Sequence, residues 1–261
     1  MKLQNKIAII SGGASGMGAS IAQLFAQEGA RVVIGDIDDG KANDVALKVG
    51  MAGGHAQALA LDVVDENQVI RLADAVLQEF HRIDILVNCV GIAEFGPTAE
   101  VSLQQWRRIL DVNLTGVFLC CREVGKAMIN QRFGKIVNFA STAGISGVPQ
   151  MAHYTASKHG VAGLTRALAV EWGKYNIHVN CICPGATATP MLLESTTEDY
   201  RADRSKRVPL QRLGQPEEQA RAALFLASSE SDYVNGSLLC VDGGVGALSP
   251  ATSTEALTGE T

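Results

Sequence analysis

A phenol and an ammonium stand four residues apart in Tyr154-Thr-Ala-Ser-Lys158. The run from Tyr154 to Trp172 reads as a helix, so both side chains fall on one face, one turn apart. A phenol ordinarily loses its proton near pH ~10, and a neighbouring positive charge favours the phenolate. Bringing a phenol to neutrality takes about three pH units, or roughly 4 kcal/mol of differential stabilisation. One ammonium supplies part of that, and a bound cationic cofactor supplies more. Such a pair would exchange a proton with an alcohol oxygen as a general acid/base. The same spacing also occurs on ordinary solvated helix edges, so the surrounding elements decide.

Those elements begin at the N-terminus. Lys6 to Ser11 is a short β-branched apolar run, the signature of a buried parallel strand. Gly12-Gly-Ala-Ser-Gly16-Met-Gly18 follows at once, and helical spacing runs from Ala19 to Gln27, with Gly29 as the stop. Strand, glycine loop and helix make a phosphate cradle. Small residues let the backbone approach, and the helix N-terminus presents free N–H groups to an anion. The next strand, Arg31 to Asp36, ends in a carboxylate eighteen residues after Gly18. That is near the spacing of an acid that binds a ribose 2′-hydroxyl. The glycines read G-x-x-x-G-x-G rather than G-x-G-x-x-G, so the loop taken alone is also an ordinary glycine-rich turn.

In this setting the chain resembles the short-chain dehydrogenases/reductases over residues 3 to about 246. Ser11-Gly12-x-x-x-Gly16-x-Gly18 is similar to the family's cofactor loop, with Ser11 where Thr is usual. Asp62-Val63 resembles its adenine-side pair. Asn88-Cys-Val-Gly91 departs at two inner positions from the usual Asn-Asn-Ala-Gly. Asn113 resembles the family's helix Asn, and Ser141, thirteen residues before Tyr154, its catalytic Ser. Pro184-Gly185, Thr189-Pro-Met191 and Val241-Asp-Gly-Gly244 complete the set in order.

The resemblance implies hydride transfer between nicotinamide C4 and a carbonyl or secondary-alcohol carbon. It implies Tyr154 as acid/base and Ser141 as the donor that holds the substrate oxygen. Lys158 would tune Tyr154 and bind ribose hydroxyls, and Asn113 would anchor a water linking Lys158 to solvent. The implied cofactor contacts are Gly12, Ser15, Gly16, Met17, Gly18, Asp36, Ile37, Asp62, Val63, Asn88, Gly91, Tyr154, Lys158, Pro184, Gly185, Thr187, Thr189 and Met191. Plainer roles stay open: Asn113 as a residue that satisfies buried backbone groups, Ser141 as a turn residue, Lys158 as a surface lysine.

Cofactor choice is readable at Asp36. A carboxylate accepts bonds from ribose hydroxyls and repels a 2′-phosphate. Asp38 and Asp39 add two more acids, although both also suit a helix start. The expected cofactor is NAD (NADH).

The 261 residues run as one unbroken α/β alternation with no linker. The expected fold is a single-domain Rossmann fold, a doubly wound parallel sheet of about seven strands with helices on both faces. Residues 1–246 form the domain and 247–261 a C-terminal tail. Further strands are expected at Ala56–Leu61, Ile85–Cys89, Lys135–Ala140, Ile177–Ile182 and Ser237–Val241, and long helices near Leu103–Ile129 and Tyr154–Trp172. A net charge of −5 argues against a nucleic-acid partner. No run of ~18 apolar residues spans a membrane, and no signal peptide precedes the first strand, so a cytoplasmic location is expected. The six cysteines lie in apolar runs without zinc-ligand spacing and read as buried, reduced thiols, with no metal site. Resemblance alone implies a homotetramer.

For the substrate, the resemblance implies a pocket walled by residues 143–148, 150–153 and a lid from Met191 to about Arg207. Glu94, Ile145, Gln150, His153 and Leu192 are the candidates there. They suggest a small or medium secondary alcohol or ketone. Alternatives are reduction of 3-oxoacyl groups on acyl carrier protein, with Arg132 and Lys174 in a docking patch, a polyol or sugar-alcohol dehydrogenase, and a cofactor-sensing binding protein.

Overall fold

The computed structural model describes residues 1–249 and residue 257. Seven short apolar runs pair into one sheet: β1 (Ile7–Ser11), β2 (Arg31–Asp36), β3 (His55–Ala60), β4 (Ile85–Asn88), β5 (Gly134–Phe139), β6 (Ile177–Pro184) and β7 (Leu238–Val241). The order is β3-β2-β1-β4-β5-β6-β7, and every pairing is parallel. Strand order reverses between β1 and β4, which opens a crevice at their carboxyl ends.

Both faces are covered because the strands are apolar on both sides. Ile7 and Ile9 point into one core with Leu86, and Ala8 and Ile10 into the other with Ile85 and Val87. The first core is closed by α3 (Glu66–Phe80), α5 (Gly116–Gln131) and α6 (Ala152–Trp172), through Val69, Leu72, Val76, Val124, Val161 and Trp172. The second is closed by α1 (Gly16–Gln27), α2 (Asp39–Met51) and α9 (Pro216–Ala227), through Ile21, Phe25, Val45, Val49 and Leu224. Each fully buried aliphatic or aromatic side chain contributes about 1.5–3 kcal/mol.

A polar thread crosses the first core near the crevice. Ser11 Oγ donates to Asn88 Oδ1 (3.0 Å), Asn88 Nδ2 to Asn138 Oδ1 (2.9 Å), and Asn138 Nδ2 to Thr165 Oγ1 (3.0 Å). Ser11 lies opposite Asn88, and Asn88 opposite Asn138, in the strand register. The thread therefore locks β1, β4, β5 and α6 together.

The long helix expected over Leu103–Ile129 is interrupted. α4 (Leu103–Leu110) passes into a π-turn, Asp111–Thr115, before α5 begins. The wider turn sets Asn113 inward, where it is fully buried. α7 (Pro190–Ser195) and α8 (Glu198–Lys206) form the segment between β6 and α9.

The cysteine expectation needs two corrections: Cys240 is exposed, because β7 is the edge strand, and Cys89, just past the end of β4, is only half-buried. Burial pushes the Cys89 and Cys120 thiols up to about 12. Of the expected tail, residues 247–249 and Leu257 are described; the rest lies outside the described residues. Among the described residues no helix is long and apolar enough to cross a membrane.

Asn88→Ala leaves Ser11 and Asn138 without their shared partner inside the core. The expected loss is about 1–3 kcal/mol of stability, read by urea denaturation, with NADH affinity of the folded fraction unchanged.

Candidate active site

The loop after β1 turns sharply because Gly12 has φ +77°, and a Cβ there would meet the Val90 backbone nitrogen at 2.7 Å. A Cβ at Gly18 would stand 2.0 Å from the Gly12 carbonyl oxygen, so α1 can cross the loop this closely only without a side chain. α1 opens with no side-chain cap at Ser15 and no acid in its first turn. Its terminal N–H groups are thus left for an anion.

This loop forms one wall of a groove of about 580 Å³. Gly12, Ser15, Gly16, Met17, Gly18, Asp36, Ile37, Asp62, Val63, Gly91, Thr189 and Met191 all line it. The Asp36 carboxylate is aimed by two backbone donors, Ala14 N to Oδ2 (2.9 Å) and Asp38 N to Oδ1 (3.0 Å). The groove, the uncapped helix and the fixed carboxylate fit a dinucleotide. Asn88 does not line it. Its side chain is spent in the core thread, and the departures that follow it, Cys89 and Val90, face the groove instead.

A second cavity, of about 170 Å³, adjoins the groove, and Met17, Thr189 and Met191 line both. Ser141 and Tyr154 face this cavity together with Pro184, Gly185 and Thr187. Ser141 follows β5, and its Oγ accepts from Ala143 N (3.1 Å), which leaves the hydroxyl hydrogen available. Tyr154 lies in the first turn of α6, half-buried.

Lys158 is not a surface lysine. It is 4% exposed, and its Nζ donates to the Phe139 carbonyl at the end of β5 (2.9 Å). The Nζ lies 5.7 Å from the centre of the Tyr154 ring and against Gly91 of the groove, where a Cβ would come within 3.3 Å of it. Asn113 takes up the plainer role in its side chain. Its Oδ1 accepts from Ile92 N (2.8 Å), and its Nδ2 donates to Ile92 O (2.9 Å) and Ser157 Oγ (3.2 Å). It brackets the loop after β4 and fastens it to α6.

The chain is also similar to known proteins. The family model described as enoyl-(acyl carrier protein) reductase matches residues 12–246. This chain belongs to the short-chain dehydrogenase/reductase family. It is 41% identical to a 3-oxoacyl-(acyl-carrier-protein) reductase of Thermotoga maritima, over 94% of this chain and 99% of that one. It is 42% identical to a D-threitol dehydrogenase of Mycolicibacterium smegmatis, over 93% and 94%. It is also 42% identical to a cis-4-hydroxycyclohexanecarboxylate dehydrogenase of Sinomonas cyclohexanicum, over 93% and 97%. A solved structure from Beutenbergia cavernae, provisionally assigned as an NAD(P)-dependent gluconate 5-dehydrogenase, holds NADP at low occupancy. It superposes with a TM-score of 0.90 at 38% identity, covering 95% of this chain and 99% of that one.

In this short-chain dehydrogenase/reductase the expected substrate residues divide. Leu192 lines the cavity. Glu94, Ile145, Gln150 and His153 do not. Glu94 is ion-paired with Arg108, Ile145 and Gln150 are exposed, and His153 is buried at 1% exposure with no partner for Nδ1. Val148 and Met151 of the expected walls and Tyr200 and Arg204 of the expected lid do line the cavity, and Phe95 joins them from outside those segments. Phe95 has no sequence signal, since it sits in an irregular loop that tertiary packing alone carries to the cavity. Among the described residues no cluster of three or more His, Cys, Asp or Glu is placed to hold a metal ion.

Gly18→Ala forces α1 away from the Gly12 carbonyl. NADH binding, followed by fluorescence titration, is expected to weaken at least tenfold, or about 1.4 kcal/mol, while the circular dichroism spectrum stays that of the parent.

Proposed function

We propose that the protein interconverts a secondary alcohol and a ketone with NAD(H), using Tyr154 as the acid/base. The observation that carries this reading is the shared boundary of the two cavities: the dinucleotide groove opens through Met17, Thr189 and Met191 into the space that Ser141 and Tyr154 face. When bound, the nicotinamide supplies the hydride chemistry. The chain supplies the rest. Tyr154 exchanges the proton at the substrate oxygen. Ser141, oriented by Ala143 N, donates its free hydrogen to that oxygen and stabilises the charge that develops there. The Lys158 ammonium has three donors, one of which Phe139 takes, so two serve the ribose hydroxyls and the path of the proton toward solvent.

The preference for NAD(H) rests on charge. Asp36 is fixed in the groove, and Lys41, which could otherwise neutralise a 2′-phosphate, is paired with Asp38 at 2.9 Å. A phosphate beside Asp36 meets like charge. NADP in the Beutenbergia structure speaks for the other cofactor in that protein. A homotetramer is proposed with it; Phe118 of α5 and Val170 of α6 are exposed at 41% and 86%, as apolar residues at a covered interface would be in a lone chain.

A second reading, reduction of 3-oxoacyl groups on a carrier protein, is favoured by one feature. Arg132 and Lys174 both lie over the Tyr175 ring, at 5.8 and 5.1 Å, and so present paired cations at the surface. It predicts that carrier-linked acetoacetyl groups react faster than the same group on a small thiol, and that Arg132→Glu abolishes the difference. The mainly apolar cavity lining weighs against a polyol.

Tyr154→Phe is expected to lower kcat by roughly 10²–10⁴-fold and to leave NADH binding intact; a variant that keeps its turnover overturns the assignment. Wild-type kcat/KM with NAD should exceed that with NADP at least tenfold, or about 1.4 kcal/mol, and equal use of both overturns the cofactor reading.

A further inference from the structure

The cavity that Ser141 and Tyr154 face has an asymmetric lining. Met17, Phe95, Val148, Met151, Met191 and Leu192 give it an apolar body. Among the described residues one charged residue lines it, Arg204, carried by α8. Tyr200 lines it too, one turn earlier on the same face of α8. Among the described residues no Asp or Glu lines the cavity.

The neighbouring arginines are all engaged. Arg201 Nη1 donates to the Leu193 and Thr196 carbonyls, Arg207 pairs with Asp203 at 2.9 Å, and Arg212 pairs with Glu218 at 2.6 Å. Among the described residues no carboxylate pairs with Arg204. A cation in the last turn of α8 complements the helix dipole, and Lys206 does so as well. That accounts for a positive charge at this end of α8. It does not account for a half-buried arginine that lines an apolar cavity and, among the described residues, has no hydrogen-bond or ion-pair partner for its side chain.

We propose that Arg204 selects substrates that carry a carboxylate, so that the protein acts on hydroxy acids and oxo acids whose carbinol or carbonyl carbon is separated from the carboxylate by an apolar body. This rests on the alcohol/ketone reading of the same site. A guanidinium matches a carboxylate through two parallel N–H···O bonds, and the Tyr200 hydroxyl adds a donor on the same face. The reacting oxygen lies at Ser141 and Tyr154, from β5 and α6, while the carboxylate is gripped from α8. The two ends of the substrate are thereby held by different elements, which fixes which face of the carbon meets the cofactor. A phosphate would also suit a guanidinium, but the cavity is small and offers no second cation.

The test is a binding measurement, so it does not depend on having guessed the substrate. Cyclohexanecarboxylate and the near-isosteric cyclohexanecarboxamide are titrated calorimetrically into the enzyme–NADH complex of the wild type, Arg204→Met and Arg204→Lys. The wild type should bind the carboxylate at least about tenfold more tightly than the amide, as a charge-assisted hydrogen bond requires. Arg204→Met should erase that ratio, and Arg204→Lys should retain part of it, with NADH affinity the same in all three. Inorganic phosphate, titrated in parallel, should bind no better to wild type than to Arg204→Met; if it does, phosphate rather than carboxylate is the ligand chemistry and the proposal falls. Equal wild-type affinity for acid and amide, no binding of either, or a preference that survives Arg204→Met also overturns it. If NADH binds and neutral ring alcohols turn over while the acid gains nothing, this inference fails alone. If NADH does not bind, the reading of the whole site fails with it.

Discussion

A buried ammonium lies at the centre of the candidate site. Lys158 is almost sealed from solvent, and among the described residues no carboxylate neutralises it. Taking a charge out of water is costly unless hydrogen bonds replace the lost hydration. The structure supplies one replacement, the last carbonyl of β5, and leaves the other donors beside Gly91 at the groove wall. The cation sits where β5, α6 and the loop after β4 meet, elements that the Asn138–Thr165 bond and the Asn113 bonds to Ile92 and Ser157 hold together. A dinucleotide in the groove would complete its coordination with ribose hydroxyls, which makes cofactor binding and catalytic geometry parts of one electrostatic problem.

Helix ends divide along the same line. α2, α3, α4 and α8 are closed by Asp38, Asp65, Ser102 and Thr197, whose side chains accept from the first-turn N–H groups. α1, α5, α6 and α7 begin without such a cap; α5 continues directly from the π-turn, and the other three begin beside the site. Side-chain caps typically contribute about 1 kcal/mol each. Leaving these three helices uncapped forgoes that stability where free N–H groups and positive helix ends face the groove and cavity.

Two polar assemblies hold this arrangement, and they differ in how legible they were. The Tyr154–Lys158 pair could be read from spacing, because helical periodicity alone places residues four apart on one face. The strands could be read because apolar β-branched runs of five or six residues have few other fates; their ends fell within a residue or two of expectation. Asn88 could not be read correctly. Its motif pointed to the cofactor, yet strand register puts it opposite both Ser11 and Asn138, and a buried amide between two such partners bonds to them. The π-turn at Asn113 was equally hidden, since it arises from the need to reach both backbone groups of Ile92.

The sequence by itself determined the α/β alternation, the glycine cradle, the acid at the end of β2 and the Tyr154–Lys158 pair, because each depends on interactions between residues close in the chain. The expected walls and lid contained Val148, Tyr200 and Arg204, but tertiary structure decided which of their residues line the cavity and added Phe95. Phe95, Val148, Tyr200 and Arg204 come from three separate segments, and Glu94, Ile145, Gln150 and His153 point elsewhere despite neighbouring positions. A cavity wall is made where loops and a helix from distant parts of the chain converge, and no local periodicity encodes how α8 is set against the loops that carry Phe95 and Val148.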